Sequence, residues 1–331
     1  MKRILGMGNA LVDVITIIDN EKILEQFSLP KGSMQLVDNE TSEKIKKGTK
    51  NYEIKLASGG SAANTIYGLS MLGIQTGFIG SIGEDEMGDF FENDFKDAGV
   101  KTILRRRKTH TGTAVALITP DSERTFATHL GAAVELDAHD LNLCDFKGYD
   151  IFYLEGYLIN NISLVKEACK IAKSLKMKIA LDLSSYNVVL DKIVDFGEIV
   201  QNYVDILFAN GEETKAFTGL EPAEALSRLS EQCETVVVKI GAEGSWIKRG
   251  EELLKIGTIP VVSKDTTGAG DLYASGFLYG LANDESLENC GLCGAILSGK
   301  VIEVIGARLT PEKWVEIKKM ISEISESSKT K

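Results

Sequence analysis

The stretch IFYLEGYLINNISLVKEACKIAKSLKMKIALDL, residues 151–183, decides the fold. Its two ends, IFYLEG (151–156) and KIALDL (178–183), are continuous apolar runs rather than alternating ones, the pattern of strands covered on both faces. Between them Leu164, Ala168, Ile171, Ala172 and Leu175 recur at helical spacing behind Ser163, a residue suited to open a helix. Strand, helix and strand in that order make a βαβ unit with parallel strands. Downstream, VDILFAN (204–210) and TVVVKIG (235–241) are strands of the same kind, separated by a helix from about residue 211 and another ending near Cys233. The expected architecture is therefore α/β, a doubly wound and mostly parallel sheet. In open sheets of this kind ligands lie beyond the carboxyl ends of the strands.

Upstream the rhythm changes. AVALITP (114–120) and RTFATHL (124–130) read as a hairpin across Asp121, Ser122 and Glu123, and DVITIID (13–19) and MQLV (34–37) read as further strands of a small sheet. That sheet is too polar to fold alone and is expected to form a lid over the crevice. The division expected is a core of residues 1–12, 45–100 and 132–324, a β lid of residues 13–44 and 101–131, and a polar, disordered tail over 325–331. The open edge of the lid sheet offers backbone groups through which two copies could pair.

With 331 residues, 44% of them hydrophobic, the chain can bury a large core, and it has no apolar run long enough to span a bilayer. The glycines and Asn9 of MKRILGMGNA interrupt any secretory signal, so this segment reads as the first strand. Lys and Arg number 37 against 48 Asp and Glu, and the one basic cluster is Arg105 to Lys108, which argues against a nucleic-acid partner. Five cysteines, an odd number, suggest reduced thiols and a cytoplasmic setting; Cys290 and Cys293 have metal-ligand spacing but no second pair, and helix packing accounts for them better.

The strongest local signal is Asp265-Thr266-Thr267-Gly268-Ala269-Gly270-Asp271, followed by the helical LYASGFLYGLA (272–282). Small residues allow the amides of Gly268, Ala269 and Gly270 to converge at a positive helix end, which makes an anion hole. A P-loop ending is missing, and a carboxylate stands in its place. Asp271 beside a phosphate site is costly unless it accepts the proton of an attacking hydroxyl. A second cluster, Gly59-Gly60-Ser61-Ala62-Ala63-Asn64, allows close backbone approach to a ligand, with Asn64 able to bond a polyol, although tight helix packing would look the same. GMGNALVD (6–13) lacks the third glycine of a dinucleotide fingerprint, which disfavours a dehydrogenase, and Asp13 suits vicinal hydroxyls. Asn210 and Glu213 open a helix at a strand end, where a carboxylate can hold magnesium through water or simply answer the helix dipole.

Together these pieces resemble the ribokinase-like (PfkB) carbohydrate and nucleoside kinase family over nearly the whole chain, with signature regions at Gly59–Asn64 and Asp265–Gly276. The resemblance implies an ATP-dependent kinase with Asp271 as general base, Gly268, Ala269 and Gly270 as the hole for the migrating phosphoryl group, and Asn210 with Glu213 as the magnesium and phosphate motif. It implies Asp13, Gly59, Gly60, Ser61 and Asn64 as substrate contacts and admits monovalent-cation activation, not assigned to any residue. GMGNALVD, Thr111-Gly112-Thr113, IFYLEGYL and VDILFANGEE look most like the adenosine kinase branch. That similarity adds Asn9 at the ribose, Tyr157 near the base and Arg124 approaching the phosphates from the lid. It also makes Thr266, Gly241, Gly244, Ala295, Ser298 and Gly299 walls of the ATP site. Two departures stand out: Lys239 replaces a small hydroxyl residue in the nucleotide region, and SSYN (184–187) differs from the usual base-site sequence. The acceptor expected is a nucleoside, most of all adenosine, at a primary 5′ hydroxyl. A sugar such as ribose or fructose, or a non-catalytic sensing protein of the same fold, are the rival readings.

Overall fold

The structure, a computed structural model, describes residues 1–121 and 123–329. The chain starts in a large sheet with β1 (Ile4–Met7), then crosses to a small sheet with β2 (Leu11–Ile17), β3 (Met34–Leu36) and β4 (Ile54–Gly59). It returns for β5 (Thr76–Gly83) and β6 (Lys101–Arg107) and leaves again for the hairpin β7 (Gly112–Ile118) and β8 (Arg124–His129). From there it stays in the large sheet through β9 (Ile151–Glu155), β10 (Lys178–Asp182), β11 (Ile206–Asn210), β12 (Thr235–Lys239), β13 (Ser245–Arg249) and β14 (Glu252–Ile256). The large sheet runs β14-β13-β12-β11-β10-β9-β1-β5-β6 and the small one β3-β8-β7-β2-β4. Only the β12-β13-β14 edge of the large sheet is antiparallel.

Strand β9 shows why the sheet needs cover on both faces. All five residues are buried, and alternation sends Phe152 and Leu154 into one apolar cluster and Ile151 and Tyr153 into the other. The first cluster is closed by helices Ile162–Ser174, Ile193–Tyr203 and Pro222–Leu229, the second by Ser61–Met71, Glu86–Asp97, Ala269–Ala282 and Leu287–Val301. At about 1.5–3 kcal/mol per large buried apolar side chain, these two layers are the main stabilising term. The helix after β9 is capped by Asn161, whose Oδ1 accepts from the Leu164 amide at 3.2 Å, two positions ahead of the Ser163 start expected. Among the described residues no helix is long and apolar enough to cross a membrane.

The structure redraws the expected boundary between core and lid. Segment 54–59, assigned to the core, pairs antiparallel with β2 in the small sheet, and segment 101–107, assigned to the lid, pairs parallel with β5 in the large one. The helix Asn39–Gly48 spans the expected break at residue 44, and its Ile45 packs under Val14, Val115 and Leu117 of the small sheet. The hairpin matches its expectation, with Ile118 opposite Arg124, though Ser122 lies outside the described residues. The last helix, Pro311–Lys329, runs through most of the expected disordered tail. Ile321 and Ile324 bury against the neighbouring helices and carry it onward, and Ser325 Oγ donates to Glu285 Oε1 at 2.9 Å. Residues 330 and 331 lie outside the described residues.

The glycines of Ala269–Ala282 let it sit deep against its neighbours. A Cβ on Gly276 would lie 2.3 Å from the Cys293 carbonyl oxygen, and one on Gly280 would lie 2.8 Å from Cys290 Sγ. Cys290 and Cys293 are thus buried packing residues of this helix pair. A Gly276→Ala variant is predicted to force the two helices apart and lose about 1–3 kcal/mol. Its urea unfolding midpoint should fall clearly below that of the parent, and an unchanged midpoint would contradict the contact.

Candidate active site

The chemistry gathers where the helix Ala269–Ala282 begins. Gly268 caps it with φ 76°, and a Cβ there would meet the Ala307 Cβ at 2.7 Å, so this position needs glycine for both its left-handed backbone and its neighbour. The preceding loop is held by Asp265, which accepts from the Thr267 amide at 3.0 Å and the Gly306 amide at 2.6 Å and pairs with the Arg124 guanidinium. The Ala269 amide donates to the Thr266 carbonyl at 3.1 Å. The trio expected to converge therefore exchanges Ala269 for Asp271: within the turn 268–271 the amides of Gly268, Gly270 and Asp271 are the ones with no backbone partner. They sit at the positive end of a helix of 14 residues, where an anion is stabilised.

Asp271 is the first charged side chain of that helix. Its Oδ1 accepts from Ser61 Oγ at 2.7 Å and its Oδ2 from Asn64 Nδ2 at 2.9 Å. Both donors lie on the first turn of Ser61–Met71, so the two glycine-rich motifs meet on one carboxylate. Gly60 makes the turn into that helix at φ 104°, and a Cβ there would lie 2.1 Å from the Asn9 carbonyl oxygen. Burial pushes the Asp271 carboxyl up to about 6; the Asn64 and Ser61 donors resist that rise, Asp182 adds to it, and Lys239 opposes it. A carboxyl poised there is largely ionised at neutral pH yet basic enough to take a proton.

Four strand ends in a row border the site, and three of them, Asp182, Asn210 and Lys239, line its cavity. Glu155, Asp182, Asn210 and Lys239 are the last residues of β9, β10, β11 and β12. Lys239 Nζ pairs with Asp182 Oδ2 at 2.7 Å, and a Cβ on Gly270 would lie 3.1 Å from that ammonium, which places the lysine beside the anion hole. Asn210 and Glu213 lock each other in a capping box: Asn210 Oδ1 accepts from the Glu213 amide at 2.8 Å, and the Asn210 amide and Nδ2 donate to the two Glu213 oxygens at 2.7 and 2.8 Å. Burial first, then Asp182, raise the Glu213 carboxyl to about 7, against the pull of Lys239.

Asp182, Asn210, Glu213, Lys239 and Asp271 line a cavity of about 920 Å³. One end is walled by Asp13, Gly60, Ser61, Asn64, Phe126, Tyr157 and Ser184, and the other by Gly241, Gly244, the 257–263 loop, Thr266, Ala295, Ser298 and Gly299. Gly299 permits the loop to cross its helix, since a Cβ there would meet Ile259 Cγ1 at 2.4 Å. Burial raises Asp13 to about 6 against the nearby Arg308 and Arg124 charges. Three expected residues stand behind the wall instead. Asn9 donates through its backbone amide and Nδ2 to Glu155 Oε1 at 3.0 and 2.6 Å, Gly59 lies under the Asp13 carboxyl, and Arg124, paired with Asp265, reaches the glycine turn by donating to Thr267 Oγ1 at 2.5 Å. Asn64 lines the cavity, but both ends of its amide are already bonded, to Asp271 and Arg308.

Asp182, Glu155 and Arg308 escaped sequence reading, and Ser184 was read only as part of the departing segment SSYN (184–187). For Asp182 and Glu155 a signal existed, because each ends an apolar strand at the edge where ligands bind. Arg308 had none, being brought in by a turn more than 240 positions from Asn64.

Comparison with known proteins agrees with this geometry. A family profile described as pfkB family carbohydrate kinase matches residues 32–314. A solved structure of a probable sugar kinase from Rhizobium etli is 31% identical and superposes with a TM-score of 0.87, covering 96% of this chain and 98% of that one. An adenosine kinase from Sinorhizobium meliloti is 33% identical with a TM-score of 0.86, covering 96% of this chain and 99% of that one. Adenosine kinase 1 of Arabidopsis thaliana is 26% identical, over 94% of this chain and 96% of its own. With the fold, the cavity and the family profile in agreement, the chain belongs to the pfkB family of carbohydrate kinases and is a sugar or nucleoside kinase.

Proposed function

We propose that this kinase transfers the γ-phosphate of ATP to the primary 5′ hydroxyl of a nucleoside, with adenosine as the acceptor and Asp271 as the base. The observation that carries the reading is the Asp271 carboxylate beside three unpartnered amides at one helix end, opening on a cavity with two unlike halves. The half near Asp13 offers a carboxylate for vicinal hydroxyls and two aromatic rings, Tyr157 and Phe126, with flat apolar faces for a base. The glycine-lined half near Ala295, Ser298 and Gly299 takes ATP, and the two aromatic rings of the other half, which a free sugar has no base to fill, favour adenosine, in keeping with the similarity to an enzyme named adenosine kinase at 33% identity.

Asp271 takes the proton of the acceptor hydroxyl as its oxygen attacks the terminal phosphorus, and ADP leaves on the far side. The amides of Gly268, Gly270 and Asp271, with Lys239 beside them, meet the charge on the migrating phosphoryl group, where one donor of this kind contributes about 3–4 kcal/mol. Ser61 and Asn64 keep the carboxylate aimed, and the small sheet with Asp13 and Phe126 covers the acceptor and keeps water from competing for the phosphoryl group. Magnesium fits this site: each Glu213 oxygen spends one lone pair on Asn210 and keeps another, so Asn210 and Glu213 would hold the water shell of an ion carried in with ATP. Its chemistry there is neutralisation of phosphate charge.

Three outcomes test the reading. Asp271→Asn should still bind ATP and acceptor but lose turnover by about 10²–10⁴-fold, measured by ADP release; near-parent turnover would remove Asp271 from the role. Because Asp271 is held at about 6 and Glu213 at about 7, both must be ionised to act, so kcat/KM should fall on acidification below about pH 7 with a limb steeper than one proton. A profile flat to about pH 5 would contradict the assignment. In a panel of nucleosides and sugars, adenosine should lead ribose and fructose in kcat/KM by at least about 100-fold. A sugar leading the panel would replace the nucleoside reading with the sugar one.

A further inference from the structure

Arg308 lies in the turn between helices Leu287–Val301 and Pro311–Lys329, with its side chain only 11% exposed. Its Nη1 donates to Asn64 Oδ1 at 2.9 Å, and its Nη2 donates to Ser58 Oγ at 2.5 Å. Its Nε lies 3.8 Å from Asp94 Oδ2, and the guanidinium carbon stands 3.9 Å over the Tyr67 ring. Ser58 in turn donates to Asp94. A buried cation is costly unless paired, and here Asp94, the ring and two acceptors share that task. The result is a guanidinium fixed in plane and direction directly beneath Asn64.

The chemistry of the pair then fixes which way the Asn64 amide points. Arginine carries donors only, so the Asn64 oxygen must face it, and the Asn64 NH₂ is left to face Asp271 Oδ2 at 2.9 Å. Turned over, Asn64 would set its NH₂ against the guanidinium and its oxygen against the carboxylate, two repulsions in place of two bonds. A lysine cannot reproduce the planar fork and the stacking together.

We propose that Arg308 is a positioning residue of the phosphoryl-transfer site: it locks the Asn64 amide, and through it the aim of the Asp271 carboxylate at the acceptor hydroxyl. The proposal rests on the reading of Asp271 as the base. Arg308 reaches no wall of the cavity, so its main effect falls on kcat; its charge also faces Asp13, so the binding it spares is that of ATP.

The experiment compares purified full-length Arg308→Met, Arg308→Lys, Asn64→Ala and the double variant Asn64→Ala/Arg308→Met with the parent, using ATP and the best acceptor of the panel. Arg308→Met is expected to lower kcat roughly 100-fold, the scale of a small misplacement of a reacting group, with the KM for ATP within about threefold and any rise in the acceptor KM smaller than the loss in kcat. Arg308→Lys should recover part of the loss. The double variant should be no slower than Asn64→Ala alone, because the arginine acts through that amide. Parent-like turnover in Arg308→Met, a loss confined to KM, or multiplying losses in the double variant would overturn the proposal. If Arg308→Met unfolds below the assay temperature, Asp94→Asn/Arg308→Met removes both charges and carries the same readings. Asp271→Asn assayed in parallel separates the two claims. Activity surviving there sinks the base itself, whereas an inactive Asp271→Asn beside a fully active Arg308→Met sinks only the role of Arg308.

Discussion

The structure depends on one electrostatic compromise: a carboxylate held at the positive end of a helix, inside the protein, next to the place meant for another anion. The helix N-terminus alone stabilises a negative charge by about 0.3–1 kcal/mol at an exposed site and more when partly buried. On the proposed function it must serve Asp271 and a phosphoryl group together. Ser61 and Asn64 relieve the conflict by bonding both carboxylate oxygens, which leaves the amides of Gly268, Gly270 and Asp271 for the incoming group. Desolvation still dominates and lifts Asp271 to about 6. The same burial that makes the charge expensive makes the group a useful base.

Much of the fold serves that compromise. The helix can carry its N-terminus into the cavity because glycines along it admit close neighbours: Gly68 of the adjacent helix would, with a Cβ, lie 2.5 Å from Ser275 Oγ, and Gly276 packs on the Cys293 carbonyl. The parallel sheet then aligns Glu155, Asp182, Asn210 and Lys239 at the carboxyl ends of four adjacent strands. Those residues divide the work between structure and site. Glu155 accepts from the Asn9 and Ala62 amides at 3.0 and 2.8 Å and so ties the first crossing to the small sheet to the return from it, while Asp182 keeps Lys239 charged and in place beside Gly270.

The α/β core, the hairpin and the glycine turn with Asp271 were legible in the sequence because each has a local signature: continuous apolar runs, alternating runs across a turn, and small residues ahead of a helix. Strand β4 and strand β6 were not, since both carry lysine or arginine among few apolar residues and their sheet is chosen by distant partners, β2 and β5. Site residues divide the same way. Asp13, Ser61, Asn64, Glu213 and Lys239 reach the cavity as expected, whereas Asn9 and Arg124 are drawn off by Glu155 and Asp265, carboxylates whose partners no spacing announces. Arg308 belongs to that second kind. Its burial against Tyr67 and its bond to Asn64 exist only once the last turn has folded back over the helix Ser61–Met71.

On the proposed reading, acceptor and phosphate meet over a single carboxylate. The most direct measurement is a crystal structure of the enzyme with its acceptor and a non-hydrolysable ATP analogue. The account predicts the acceptor hydroxyl within about 2.6–3.2 Å of an Asp271 oxygen, in line with a terminal phosphate seated on the Gly270 and Asp271 amides. An acceptor hydroxyl bonded to another group, with Asp271 facing away from it, would contradict the account.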